Sequence, residues 1–135
     1  MIREGRPGDR PTVRRLQAKL PEPAPELLDP AAGGELLVTT DDGAVVGYLL
    51  WFPGESVYVA ELVVHPDYRR QGRGRELFRG LFDRLDPGTE VTLRVAVENE
   101  AARALYAELG FERVDVDPDA YDDGPGILMR AVVDG

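Results

Sequence analysis

The amino-acid sequence predicts an α+β domain built on one mixed, mostly antiparallel sheet. Three observations predict it. Two strand-like runs, 35–40 and 44–52, are separated by Asp41-Asp42-Gly43, a strong hairpin signal. Two apolar runs, 57–65 and 90–97, flank an amphipathic stretch, the pattern of a right-handed parallel crossover. Two last strand-like runs, 111–116 and 127–133, follow a second helical stretch.

Taken in order, Met1 to Arg3 reads as a short edge strand. Asp9 is placed to N-cap a helix to about Leu20, with Pro11 in its first turn and Val13, Leu16 and Leu20 at helical spacing. Pro21, Pro23, Pro25 and Pro30 break up the next residues, so a mobile connection with a short helix around Glu26 to Leu28 is expected, flanking a substrate mouth. Pro53-Gly54 turns the chain after the hairpin. Val57 to His65 is nearly continuous in apolar residues and is expected to be buried on both faces, as is Glu90 to Val97. Between them, Leu77, Phe78, Leu81, Phe82 and Leu85 form the stripe of a helix over 75–85, ended by Pro87-Gly88. Asn99 suits the N-cap of a helix to Leu109, and Gly110 its C-terminal stop. No internal repeat and no second domain are visible, so residues 1–135 read as one domain.

The composition narrows the function. There is no cysteine and one histidine, which leaves no thiolate or histidine-rich metal site and no cysteine nucleophile. No apolar run approaches bilayer length and no leader opens the chain, so a soluble cytoplasmic protein without a membrane partner is expected. The formal net charge is −9, which disfavours nucleic acid as a partner. Arginine outnumbers lysine fifteen to one on an acidic body. That balance suits a salt-loving source, although a GC-rich genome would favour arginine too.

Basic residues gather at Arg69-Arg70-Gln71-Gly72-Arg73-Gly74, between an apolar strand and a helix. Glycines let backbone N–H groups approach an anion, the helix N-terminus adds partial positive charge, and arginines can fork onto phosphate oxygens. The plainer reading is a basic turn that starts a helix. A P-loop would need Lys-Ser or Lys-Thr after the last glycine, where Arg75-Glu76 stands. A dinucleotide fingerprint would need Gly or Ala where Leu77 stands. The loop is therefore read as a holder of a small anionic ligand of another kind.

A second motif runs Asn99-Glu100-Ala101-Ala102-Arg103-Ala104-Leu105-Tyr106-Ala107-Glu108-Leu109-Gly110-Phe111. With the first, which follows Val64-His65-Pro66, it resembles the GCN5-related N-acetyltransferase (GNAT) superfamily over about 57–116. The resemblance implies a GNAT-like sheet with helices on both faces, a bulged strand, and a cleft where two parallel strands splay. It implies acetyl-CoA as donor, with the diphosphate on the backbone of Gln71, Gly72, Arg73 and Gly74 and with Arg69 and Arg70 at its edge. The pantetheine arm would follow Val63, Val64 and His65, and Asn99 would both cap its helix and touch the donor. No metal is implied.

The chemistry implied is attack of a primary amine on the thioester, with a backbone N–H near Val63 or Val64 as oxyanion donor. Tyr106 is the expected general acid, and core packing is its alternative. Glu61 is the candidate base because it interrupts an apolar strand. Strict alternation puts it on the face of Val59 and Val63. An ion pair with Arg94, or simple exposure, is the alternative. Asp115, Asp117, Asp119, Asp122 and Asp123 are substitute bases or a cation-steering surface. His65 reads as a strand-end residue rather than a catalyst. Ribosomal-protein N-terminal acetyltransferases resemble the chain through the second motif but carry a glutamate where Arg94 stands. The acceptor expected is a small or protein-borne primary amine, with the acidic surface favouring a cationic one. Rival readings are an acyl-CoA-binding module without catalysis and an interaction domain whose loop is only a turn. Dimerisation is common in the superfamily, which leaves a homodimer open.

Overall fold

The computed structural model describes residues 1–21, 23–121 and 124–134. The strands are β1 Ile2–Glu4, β2 Glu35–Asp41, β3 Ala44–Phe52, β4 Ser56–Val64, β5 Glu90–Ala96, β6 Glu112–Tyr121 and β7 Gly124–Val132. The helices are α1 Arg10–Gln17, α2 Arg73–Arg84 and α3 Glu100–Glu108. They form one sheet in the order β1-β2-β3-β4-β5-β7-β6. The β4·β5 pair is parallel and the other pairs are antiparallel. The expected element order and mixed sheet are both present.

Local chemistry accounts for the joints. Asp42 and Gly43 both take positive φ, 50° and 84°, which gives the β2–β3 hairpin the turn that Asp-Gly favours. Asn99 caps α3 by accepting from the Ala102 N–H at 3.1 Å, and Gly110 closes that helix at φ 94°. Asp9 behaves differently. Its carboxylate binds the Arg3 guanidinium at 2.7 and 2.9 Å and the Arg6 N–H at 2.7 Å, so it staples β1 to the chain before α1 instead of capping the helix. Helix α1 also stops at Gln17, and the proline-rich stretch contains two short 3-10 turns, Pro25–Leu28 and Pro30–Ala32.

Helices α2 and α3 pack Leu77, Phe78, Leu81 and Tyr106 on one face of the sheet. On the other face, α1 and the first 3-10 turn pack Val13, Leu16 and Leu28 on Val38, Tyr48, Leu50 and Val63. That second cover sits on strands β2 to β4 and contains no β5 residue. Burial along β5 therefore alternates, with Val91, Leu93 and Val95 inside and Arg94 exposed, and β4 is likewise not buried on both faces.

Two features of β4 position the site. Its parallel ladder with β5 ends at Val59↔Leu93, although both strands continue to Val64 and Ala96. The strands thus part company half-way along. Its ladder with β3 jumps from Trp51↔Val59 to Leu50↔Glu61, which leaves Ala60 as an extra residue in a bulge. The extra residue inverts the side-chain alternation. Val57 and Val59 face α2 and α3, whereas Val63 lies in the α1-side core. Glu61 consequently shares a face with Val63 but not with Val59, because strict alternation fails across the bulge.

Candidate active site

The glycine loop starts helix α2 two residues earlier than its apolar stripe suggests. Gly72 is the N-cap at φ 76°, and Arg73, Gly74 and Arg75 form the first turn. Among the described residues, no side chain caps this end. The first N–H groups of a helix have no intrahelical acceptor, so they are presented outward as anion donors. Among the described residues, nothing lies within 4 Å of where a Gly72 Cβ would be, which leaves room for a ligand at that turn. Arg70 also takes positive φ, 64°, which bends the loop sharply.

The three loop arginines have different environments. Arg69 Nε donates to the Val64 carbonyl at 3.2 Å, tying the loop to the end of β4. Arg70 is exposed. Arg73 is turned into the body of the protein. Its guanidinium donates to Thr39 Oγ1 at 3.0 Å and the Thr40 carbonyl at 3.2 Å, and it lies 3.5 Å from Asp41. It also sits 5.3 Å from the centre of the Tyr68 ring, and its Nε donates to Gln71 Oε1. Any part Arg73 plays toward an anion thus belongs to its backbone.

The loop opens on a cleft of about 470 Å³ between β4 and α3, floored by Leu62, Val64 and Leu105. Arg75 also lines it and forms an ion pair with Glu108 of α3. At its strand wall, His65 N–H donates to the Val46 carbonyl at 2.8 Å. Antiparallel alternation then directs the Val63 N–H toward β3 and the Val64 N–H toward β5. The β4·β5 ladder has already ended there, so Val64 rather than Val63 offers a donor to the cleft. His65 Nδ1 accepts from the Asp67 N–H at 3.1 Å, which makes the ring a cap for the following 3-10 turn.

Tyr106 is buried at 9% exposure. Its ring meets Phe78 and Phe111 edge-on, with centroids 5.5 and 5.9 Å apart. This aromatic packing fixes the ring on the α3 side of the sheet.

Glu61 projects from the opposite face and is partly buried. The Tyr48 hydroxyl donates to its Oε1 at 3.1 Å. Gln17 Nε2 donates to both oxygens, at 3.0 and 3.1 Å, and to the Ala24 carbonyl at 2.9 Å. Burial pushes the Glu61 carboxyl above its ordinary value, the two hydrogen bonds pull it back, and the Glu26 charge raises it further. Burial next to this carboxylate also pushes the Tyr48 hydroxyl far up, so it stays protonated and donates. The ion pair with Arg94 is not formed. Arg94 lies 4.0 Å from Asp117 instead. Of the acidic group, Asp115 and Asp117 line a separate shallow pocket with Arg94, Asp117 accepts from the Asp119 N–H, and Asp122 and Asp123 lie outside the described residues.

Comparison with known proteins bears on the family and the fold. The family model described as "Acetyltransferase (GNAT) family" matches residues 8–111. The chain belongs to the GNAT acetyltransferase family. Over 80 residues it is 44% identical to the mycothiol acetyltransferase of Mycobacterium sp. (strain JLS), covering 57% of this chain and 26% of that protein. Over 93 residues it is 32% identical to the [ribosomal protein bS18]-alanine N-acetyltransferase of Salmonella typhimurium, covering 67% and 63%. The chain thus spans about a quarter of the first relative's length. The crystal structure of the ribosomal-protein-S18-alanine N-acetyltransferase from Escherichia coli superposes with a TM-score of 0.87 at 24% identity, covering 100% of this chain and 94% of that one. The GNAT fold is thereby established for the whole sheet.

Two residues that contact Glu61 carry no motif in the sequence. Gln17 lies one residue past Leu16, inside the apolar stripe of α1, and Tyr48 sits in the apolar run of β3. A polar tip within an apolar stripe was the available signal, since a buried polar group needs a partner. Among the described residues, no cluster able to hold a metal ion is present, and no helix is long and apolar enough to cross a membrane.

Proposed function

We propose that the protein is an acetyl-CoA-dependent N-acetyltransferase acting on a primary amine. The uncapped start of α2, opening on a cleft beside the parted strands, carries this reading. Backbone N–H groups of Gly72, Arg73 and Gly74, with Arg69 and Arg70 at the rim, would hold the diphosphate. Bound acetyl-CoA supplies an activated acetyl thioester. The Val64 N–H donates to the carbonyl oxygen as negative charge develops there. Glu61 takes the proton that the amine must lose to attack the carbonyl carbon. As the carbon–sulfur bond breaks, Tyr106 returns a proton to the thiolate. Asn99 caps α3, which lines the cleft through Ala101, Ala102 and Leu105, and is read as a further donor contact.

The acceptor is read as a cationic amine, small or protein-borne. Glu61 and Glu26 place two carboxylates on the acceptor side, and the chain is acidic overall. The test is free-thiol release from acetyl-CoA across a panel of amino sugars, polyamines, amino acids and peptides, at low and at molar salt. Turnover with at least one amine is expected. Calorimetric binding of acetyl-CoA with no turnover on any amine would instead support an acyl-CoA-binding module, which the aromatic packing of Tyr106 also suits.

A further inference from the structure

We propose that Tyr48 and Gln17 are positioning residues that select Oε2 of Glu61 as the proton-accepting oxygen. This rests on the reading of Glu61 as the base. The argument is a count of donors and lone pairs. The Gln17 amide has two N–H groups. One is committed to the Ala24 carbonyl at 2.9 Å, so the other is shared between Oε1 at 3.0 Å and Oε2 at 3.1 Å. Oε1 also receives the Tyr48 hydroxyl at 3.1 Å. Oε2 therefore keeps more unused acceptor capacity than Oε1.

The two donors are rigid. Gln17 is 2% exposed and Tyr48 0%, and they come from two different elements, α1 and β3. Buried rotamers locked by packing hold a carboxylate at one orientation without reorganisation at the moment of reaction. The bulge at Ala60 is part of the device. It turns Glu61 onto the Tyr48 face, since in unbroken alternation Glu61 would follow Val59 toward α2.

Among the described residues, the titratable groups that bear on Glu61 are Tyr48 from β3 and Glu26 from the 3-10 turn Pro25–Leu28, while α1 brings the neutral amide of Gln17. The Tyr48 and Gln17 bonds favour the ionised carboxylate, and Glu26 opposes it. Removing one donor should therefore raise the pH at which the base becomes competent.

The test is the pH profile of kcat/KM for Tyr48→Phe, which deletes the hydroxyl but keeps the ring that packs the apolar cluster. The acid limb should move up by about one pH unit, a tenfold change in proton affinity. KM for acetyl-CoA should be unchanged. Gln17→Met should move the limb the same way, and Gln17→Asn, which keeps an amide, should move it less. A merely structural role would lower the melting temperature and leave the limb in place, which overturns the proposal. Glu61→Gln separates the two failures. If that variant keeps full turnover, the base reading falls and this proposal with it. If it is inactive while the Tyr48→Phe limb stays put, this proposal alone falls.

Discussion

Replacing Glu61 by Gln should cost activity and leave the fold intact. The carboxylate accepts from Tyr48 through Oε1 and from Gln17 through both oxygens. A glutamine oxygen in place of Oε1 can keep the Tyr48 bond and the 3.0 Å contact from Gln17, but an NH2 in place of Oε2 cannot accept the 3.1 Å one. One arm of a shared hydrogen bond is lost, worth at most about 1 kcal/mol net. Against this, the partly buried negative charge disappears. Because burial raises the folded carboxyl above its unfolded value near 4.5, the folded state holds the Glu61 proton more tightly. This contribution to stability is fully present below the unfolded value and is lost as pH rises through the folded one. Above the folded value the wild type carries the cost of the buried charge, and Glu61→Gln removes it. The two effects oppose, so stability at pH 7 should stay within about 1 kcal/mol of wild type. The variant's advantage should shrink as pH falls toward 4. Loss of a general base should lower turnover about 10²- to 10⁴-fold. Thiol release with an amine that the wild type accepts, beside thermal melts at pH 4 and 7, measures both. Turnover within a factor of about three of wild type would refute the base assignment, since a base contributes about 10² or more.

Three more outcomes are expected. Tyr106→Phe should keep the aromatic packing with Phe78 and Phe111, leave acetyl-CoA affinity unchanged by calorimetry, and lower turnover about 10²-fold or more. Arg73→Lys should not replace the guanidinium fork on Thr39, Thr40 and Asp41. Stability should fall by about 1–2 kcal/mol in denaturant melts, and acetyl-CoA should bind more weakly as the loop loosens. Gly47→Ala would set a methyl 2.9 Å from the Val63 carbonyl oxygen, a backbone atom of β4. It should cost about 1–3 kcal/mol in the same melts and reduce turnover by displacing the end of β4.

Much of the fold was legible because local signals and tertiary structure agree. The Asp-Gly hairpin, the Asn99 cap and the Gly110 stop each act within a few residues, and each is where the sequence puts it. What failed to show depends on distant partners. Asp9 looked like a cap, but the Arg3 guanidinium competes successfully for its carboxylate. β4 and β5 looked buried on both faces because their apolar runs do not record how far the cover of α1 extends. Strict alternation misplaces Glu61 relative to Val59 because a one-residue bulge leaves no mark in an apolar run. Gln17 and Tyr48 become visible as partners of Glu61 only once α1 and β3 are brought to the same carboxylate.

The central claim is that the turn at Gly72 holds a diphosphate, and calorimetry tests it directly. Acetyl-CoA and S-acetylpantetheine, which lacks the diphosphate, should be titrated into the wild type and Gly72→Asp. An added carboxylate about 5 Å from a phosphate charge costs about 3 kcal/mol at an effective dielectric of about 20, roughly a hundredfold in Kd. The positive φ of Gly72 adds a strain of about 1 kcal/mol, which thermal melts of the same variant would read. The account predicts the hundredfold loss for acetyl-CoA and no change for S-acetylpantetheine. Equal affinity of both proteins for acetyl-CoA would contradict it.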